Sequence, residues 1–135
     1  MSEKILVVDD EADLRNLTKM MLEGAGYEVA QASNGDQALA MVATEAPDLV
    51  LLDVVMPGKS GFEVCKALKA NEKTMKIPVI IFTVLGRDVD FRLSMESGAD
   101  EFLSKPLKPE DMSNLVKEIR TQLNKAKSQA AQSLQ

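Results

Sequence analysis

The stretch Leu49-Val50-Leu51-Leu52-Asp53-Val54-Val55-Met56-Pro57 decides the architecture. Four branched apolar residues in succession predict a strand buried on both faces, the pattern of a parallel sheet covered by helices on each side. Such a strand has no structural need to end in a carboxylate. The Pro57-Gly58 turn that follows puts Asp53 at the carboxyl end of a central strand, the edge at which open α/β sheets bind ligands. The other strands matter for what they bring to that edge.

Upstream, Ile5-Leu6-Val7-Val8 is a short apolar strand that stops at Asp9-Asp10-Glu11. A helix is predicted after it, with Leu14, Leu17, Met21 and Leu22 at i, i+3, i+7 and i+8 forming the inward face and Gly24 and Gly26 ending it. Tyr27 to Ala32 is a second, less buried strand. Asn34-Gly35-Asp36 opens a second helix that carries Ala38, Leu39 and Val42 inward and stops before Pro47. Downstream of Asp53, Ser60 with Glu63 three residues later predicts a capping box. Phe62, Cys65 and Leu68 line the buried side of that third helix, which makes Cys65 a packing residue rather than a reactive thiol.

Val79-Ile80-Ile81-Phe82 is the fourth strand and ends at Thr83. Asp88 to Ser97 is a weak helix, since Val89, Phe91, Leu93 and Met95 make no clean stripe, and such a helix suits a mobile or partner-facing element. Gly98 stops it. Glu101-Phe102-Leu103 is a short fifth strand, closed by Lys105-Pro106. The last helix starts near Pro109 and has the clearest stripe: Met112, Leu115, Val116, Ile119 and Leu123. Residues 1–124 are expected to form the domain, and 125–135 a polar tail, a frayed end or linker stub with too little apolar content to pack. Strands alternating with helices five times predict a parallel sheet with right-handed crossovers.

Composition narrows the chemistry. The chain has 135 residues, enough for one core, and a net charge of -5, which argues against a nucleic-acid surface. There is no histidine and one cysteine, which excludes Ser-His-Asp and Cys-His catalysis, an internal disulfide and the usual zinc sites. Ile77 to Leu85, the longest mostly apolar run, is interrupted by Pro78 and Thr83 and is too short to span a membrane. Met1-Ser-Glu-Lys with four apolar residues after it makes no secretory signal, so the expected location is the cytoplasm.

Asp9, Asp10, Asp53, Thr83 and Lys105 all fall at one edge of the predicted sheet. Singly, each has a plain structural use: Asp9-Asp10-Glu11 suits the amino end of a helix, Thr83 suits a strand and Lys105 suits a surface turn. Independent accidents would not bring them all to the same strand ends. Three carboxylates in one cleft repel by about 4 kcal/mol per pair at 4 Å and an effective dielectric of 20, so a cation must offset them. Oxygen-only ligands suit Mg²⁺. With Lys105 as a second positive charge and Thr83 as a hydroxyl donor, the site suits a phosphoryl group beside a carboxylate. Gly58-Lys59-Ser60 mimics the end of a nucleotide-binding loop, but the glycine needed five positions earlier is Asp53, and Lys59 is expected to be solvated.

As a set, Asp9-Asp10, Asp53 with Met56-Pro57 and Gly61, Thr83, and Lys105-Pro106 resemble the receiver domain of two-component response regulators, the CheY-like family, over about Lys4 to Leu123. The resemblance implies a flavodoxin-like (βα)5 doubly wound sheet whose strand order, 2-1-3-4-5, is taken from the family and not from these residues. It implies that Asp53 is the phosphoacceptor, with Asp10, Asp53 and the Val55 carbonyl as Mg²⁺ ligands and Asp9 acting through water. Lys105 would pair with the phosphoryl group, with a cis bond to Pro106 as one option. Thr83 and Phe102 would be the switch residues, altering the surface of the fourth helix, fifth strand and fifth helix, although an aromatic such as Phe102 in a short strand equally suits the core.

The implied partners are a sensor histidine kinase or histidine phosphotransfer protein, a downstream effector or a lost output domain, and a homodimer formed on phosphorylation. The resemblance also implies that neither nucleic acid nor membrane is contacted directly and that the protein is a switch rather than a turnover enzyme. Three departures bear on its rate. Val84 replaces the usual small residue after Thr83 and narrows access to the pocket, while Val55 and Leu85 cannot position an attacking water, which predicts a long-lived acyl phosphate. The rivals are a haloacid-dehalogenase-type phosphatase, which wants an aspartate where Val55 stands, a receiver-like module that binds partners without phosphorylation, and a flavodoxin-like cofactor binder, for which the aromatic content is low.

Overall fold

The computed structural model describes residues 2–83, 88–105 and 109–133. The elements alternate in chain order: β1 (Lys4–Val8), α1 (Ala12–Gly24), β2 (Glu28–Ala32), α2 (Gly35–Glu45), β3 (Leu49–Leu52), α3 (Gly61–Ala70), β4 (Val79–Thr83), α4 (Asp88–Glu96), β5 (Glu101–Ser104) and α5 (Pro109–Ser133). The five strands pair in parallel in the order β2-β1-β3-β4-β5. This is the doubly wound flavodoxin-like arrangement.

The period-two alternation of the central strands divides the core into two layers. Leu6 and Val8, Val50 and Leu52, and Val79 and Ile81 face one way, under Ala38 and Val42 of α2 and Val64, Cys65 and Leu68 of α3. Ile5 and Val7, Leu49 and Leu51, and Ile80 and Phe82 face the other, under Leu22 of α1 and Leu115, Ile119 and Leu123 of α5. Every residue of β3 is buried, as a strand covered on both sides requires.

Local signals account for most helix ends. The Asn34 side chain caps α2 by accepting from the Gln37 N–H, and Ser60 caps α3 by accepting from the Glu63 N–H. Ala46, just before Pro47, takes a left-handed conformation with φ 47° and closes α2. Gly26 and Gly98, with φ of 99° and 94°, follow the ends of α1 and α4.

Two helices depart from the apolar pattern. In α1 the buried residues are Thr18 and Leu22, while Leu17 and Met21, assigned inward by sequence, are exposed at 51% and 37%. Thr18 tolerates burial because its hydroxyl donates to the Leu14 carbonyl, and the inward face runs through Thr18 and Leu22 rather than through Leu17 and Met21. Among the described side chains of α4 the buried one is Ser94, and Ser97, just past the helix, is also buried, its hydroxyl donating to the Ser94 carbonyl at 2.6 Å, while Leu93 and Met95 are exposed. The side chains of Val89, Phe91 and Met112 lie outside the described residues.

At the other end of the chain the apolar stripe of α5 stops at Leu123, but the expected frayed end instead continues the helix to Ser133. Lys, Ala and Gln are good helix formers. Lys127 also reaches back to Glu3 at 3.0 Å, beside the Arg120–Glu3 pair. Among the described residues no helix is long and apolar enough to cross a membrane.

Candidate functional site

Register brings the acidic residues together. Val8 pairs with both Ala32 and Leu52, so the next residues, Asp9 and Asp53, leave the sheet at the same level. Asp9 N–H donates to the Ala32 carbonyl and Asp53 N–H to the Val8 carbonyl, which fixes both backbones before their side chains turn into the cleft. The carboxylates of Asp9, Asp10 and Asp53 lie within 4.8 Å of one another; Asp9 and Asp53 are buried and Asp10 is exposed. Among the described residues they form a set that can hold one metal ion.

Lys105 arrives from the end of β5. Its N–H donates to the Thr83 carbonyl, and its ammonium lies 2.6 Å from Asp9 Oδ2 and 3.0 Å from Asp53 Oδ2. Burial pulls the Lys105 pKa down, but the hydrogen bonds to Asp9 and Asp53 and the two negative charges outweigh it, and the net shift is upward. The cation that offsets the buried carboxylates is thus built into the chain.

The second oxygens are also engaged. Asp9 Oδ1 accepts from the Glu11 N–H at 2.9 Å, a turn that begins α1, and Asp53 Oδ1 accepts from the Val55 N–H at 3.3 Å. The helix-terminus use of the Asp9-Asp10-Glu11 run and its use in the site are therefore compatible. The Val55 side chain is 53% exposed beside the cleft.

Thr83 is fully buried at the end of β4 and pairs in register with Ser104. Phe102, two residues earlier on β5, pairs with Ile81 and packs half-buried against the core layer under α2 and α3. Val84, Leu85 and the Lys105-Pro106 bond lie outside the described residues.

Gly61 explains a small residue at the start of α3. A Cβ there would overlap the Asp53 carbonyl oxygen and lie 2.7 Å from Val54 Cα, so only glycine lets the helix meet the end of β3. Two side chains near the site make contacts that the sequence did not indicate. Arg15 on α1 donates through Nη1 to the Asp9 carbonyl at 2.7 Å and through Nε to Gln31 on β2 at 3.0 Å, pinning Asp9 from behind. Lys59, expected to be solvated, lies 3.3 Å from Asp36 Oδ1.

The response regulator receiver domain model matches residues 5–117. The chain is 39% identical over 134 residues to the DNA-binding response regulator MtrA of Mycobacterium tuberculosis, covering 99% of this chain and 56% of that protein. It spans about half the length of the curated relatives it matches. Among solved structures, a CheY-like receiver domain protein from Methanospirillum hungatei superposes with a TM-score of 0.84 at 29% identity, covering 96% of this chain and 99% of that one. The chemotaxis response regulator CheY4 of Vibrio cholerae gives 0.81 at 30% identity, covering 88% and 99%.

Proposed function

The chain belongs to the response regulator receiver domain family, a signalling module rather than a family of turnover enzymes, and on that premise we propose that Asp53 is its phosphoacceptor. The observation that carries this reading is the placement of Asp53: a buried carboxylate at the end of the central strand, within 4.8 Å of two others and 3.0 Å from the Lys105 ammonium. In the reaction a carboxylate oxygen of Asp53 forms a bond to phosphorus in line with the departing group. The bond to a phosphohistidine nitrogen, or to the oxygen of a small acyl phosphate, breaks as that group leaves with its electron pair. The product is an acyl phosphate. Lys105 moves its ammonium from the carboxylate onto a phosphoryl oxygen, and the Val55 N–H steadies the other carboxylate oxygen.

The three carboxylates offer oxygen donors of the kind that fits Mg²⁺, which would be held by Asp10, Asp53 and the Val55 carbonyl, with Asp9 supporting it. When bound, the ion supplies positive charge for the transferring phosphoryl oxygens.

The new charge, roughly 1.5 to 2 units by analogy with other phosphorylated side chains, is the switch event. Thr83 turns its hydroxyl toward the phosphoryl oxygens, and Phe102 turns into the space beside it. The α4, β5 and α5 surface then changes for its partner. The donor is a sensor histidine kinase or histidine phosphotransfer protein. The recipient of the signal is an effector, an output domain joined through residues 125–135, or a second copy of the chain, and the setting is the cytoplasm.

The test is intact mass after incubation with acetyl phosphate or phosphoramidate, with and without Mg²⁺. One phosphoryl group should be gained only with Mg²⁺ and should be absent in Asp53→Asn. No gain from any donor, including a phosphorylated kinase, would make the chain a binding module that works without phosphorylation.

A further inference from the structure

Beside the acidic site, the turn that opens α2 and the turn that follows β3 enclose a cleft of about 730 Å³ lined by Asp10, Asn34, Asp36, Gly58 and Lys59, among others. Its walls are packed tightly together. A Cβ on Gly35 would lie 3.0 Å from Lys59 Cβ, 3.1 Å from the Lys59 carbonyl oxygen and 2.8 Å from a Val64 methyl group, so the start of α2 lies directly on the backbone of Lys59. That contact fixes where the Lys59 side chain leaves the main chain. Its ammonium lies 3.3 Å from Asp36 Oδ1, with the lysine side chain 37% exposed and the aspartate 85% exposed.

The three carboxylates of the site differ in access. Asp9 and Asp53 are buried under Lys105, whereas Asp10 is exposed and lines the cleft. Among the described residues that line the cleft the charged groups are Asp10, Asp36 and Lys59, and Lys59 is the positive one.

We propose that a divalent cation reaches Asp10 and Asp53 through this cleft and that Lys59, held at Asp36, sets the affinity of the site by charge. The inference rests on the reading of Asp10 and Asp53 as cation ligands. A pair as exposed as Lys59–Asp36 is loose in water. The ammonium therefore exchanges between Asp36 and the open side of the cleft, where it opposes a cation and competes for Asp10. Asp36 acts in the opposite sense, drawing the lysine away from Asp10. The volume of the cleft accommodates an ion that keeps several of its waters.

Calorimetric titration of Mg²⁺ into the unphosphorylated chain tests this, at low ionic strength and at about 0.5 M salt, where charge effects across solvent are screened. Lys59→Gln should bind about threefold to fivefold tighter than wild type, the size expected for one unit charge acting on a divalent ion across water. Asp36→Asn should bind about twofold weaker, and the double variant should fall between Asp36→Asn and Lys59→Gln, because Asp36 acts both through Lys59 and by its own charge at the cleft. High salt should shrink all three differences. Thermal melting of each variant separates a folding defect from a change in affinity.

Binding that is lost in Asp10→Asn yet indifferent to Lys59→Gln, or weakened by it, would overturn the role of Lys59 and leave the metal reading intact. A wild-type chain that binds no Mg²⁺ would overturn both.

Discussion

The ammonium of Lys105 lies 3.0 Å from Oδ2 of Asp53, although 52 residues separate them in the chain, and their side chains are 7% and 6% exposed. A buried carboxylate meets a buried cation, and both are delivered by strand ends. Removing one partner of such a pair leaves the other charged and poorly solvated, which costs more than the pair itself contributes.

Lys105→Met should therefore destabilise the protein by about 3 kcal/mol in urea unfolding, the lower end of the range for breaking a buried ion pair. In an Asp53→Asn background the same substitution should cost less by 1 kcal/mol or more, roughly, as expected for residues in contact. Equal losses in both backgrounds would show that the two side chains are not coupled.

The raised pKa of Lys105 has a direction in pH. Because the folded value stands above the ordinary 10.5, the contribution is fully present below 10.5 and is lost as pH rises through the folded value. The stability difference between wild type and Lys105→Met should be constant near neutrality and narrow above about 10.5. Chemical denaturation at a series of alkaline pH values measures it, and a difference that widens in that range would contradict the assignment.

Gly61→Ala places a methyl group on the Asp53 carbonyl oxygen and 2.7 Å from Val54 Cα. In an unconstrained helix alanine would gain up to about 1 kcal/mol over glycine. Here the expected outcome is a loss of at least about 2 kcal/mol, since backbone cannot yield as a side chain can. Slower phosphorylation should accompany it, because the displaced segment carries Asp53.

Burial along α1 separates two leucines of similar sequence context. Leu22 is fully buried and Leu17 is 51% exposed. Leu22→Ala should cost about 2–5 kcal/mol, whereas Leu17→Gln should stay within about 0.5 kcal/mol. Thermal melts of the two variants check the rotated face directly.

Val55 presents an exposed apolar side chain next to Asp53, so it offers no polar group to orient water for hydrolysis. The acyl phosphate is expected to persist for minutes or longer after the donor is removed, and Val55→Gln should shorten its life severalfold. A time course by intact mass decides this, and loss within seconds in the wild type would refute it.

The covered parallel sheet and its buried strands follow from features that local sequence expresses strongly, whereas the strand order came from the family resemblance and is seen only in the pairing of the strands. Unbroken runs such as Leu49–Leu52 and Val79–Phe82 have no solvent face and must lie inside a covered parallel sheet. Asn34, Ser60 and Pro47 mark helix ends by chemistry that acts within four residues. Asp9, Asp53, Thr83 and Lys105 were legible as a set because each interrupts or ends an apolar strand at the same edge.

The helix faces were less legible. Thr18, Ser94 and Ser97 are buried with hydroxyls that bond within their own helices or are otherwise engaged, so polarity at those positions does not mark exposure. A count of apolar residues passes over them and promotes Leu17 and Met21 in their place.

The sequence by itself determined the alternation of elements, the covered sheet and the identity of the acidic residues, Thr83 and Lys105, since periodicity and strand ends depend on near neighbours. Only the tertiary structure decided which oxygen meets which cation, that Arg15 grips the Asp9 backbone and that Lys59 pairs with Asp36 beside Asp10. Those relations join residues up to 96 positions apart. Their distances are set by strand register and by backbone contacts such as Gly35 on Lys59 and Gly61 on Asp53, and neither periodicity nor composition carries that information.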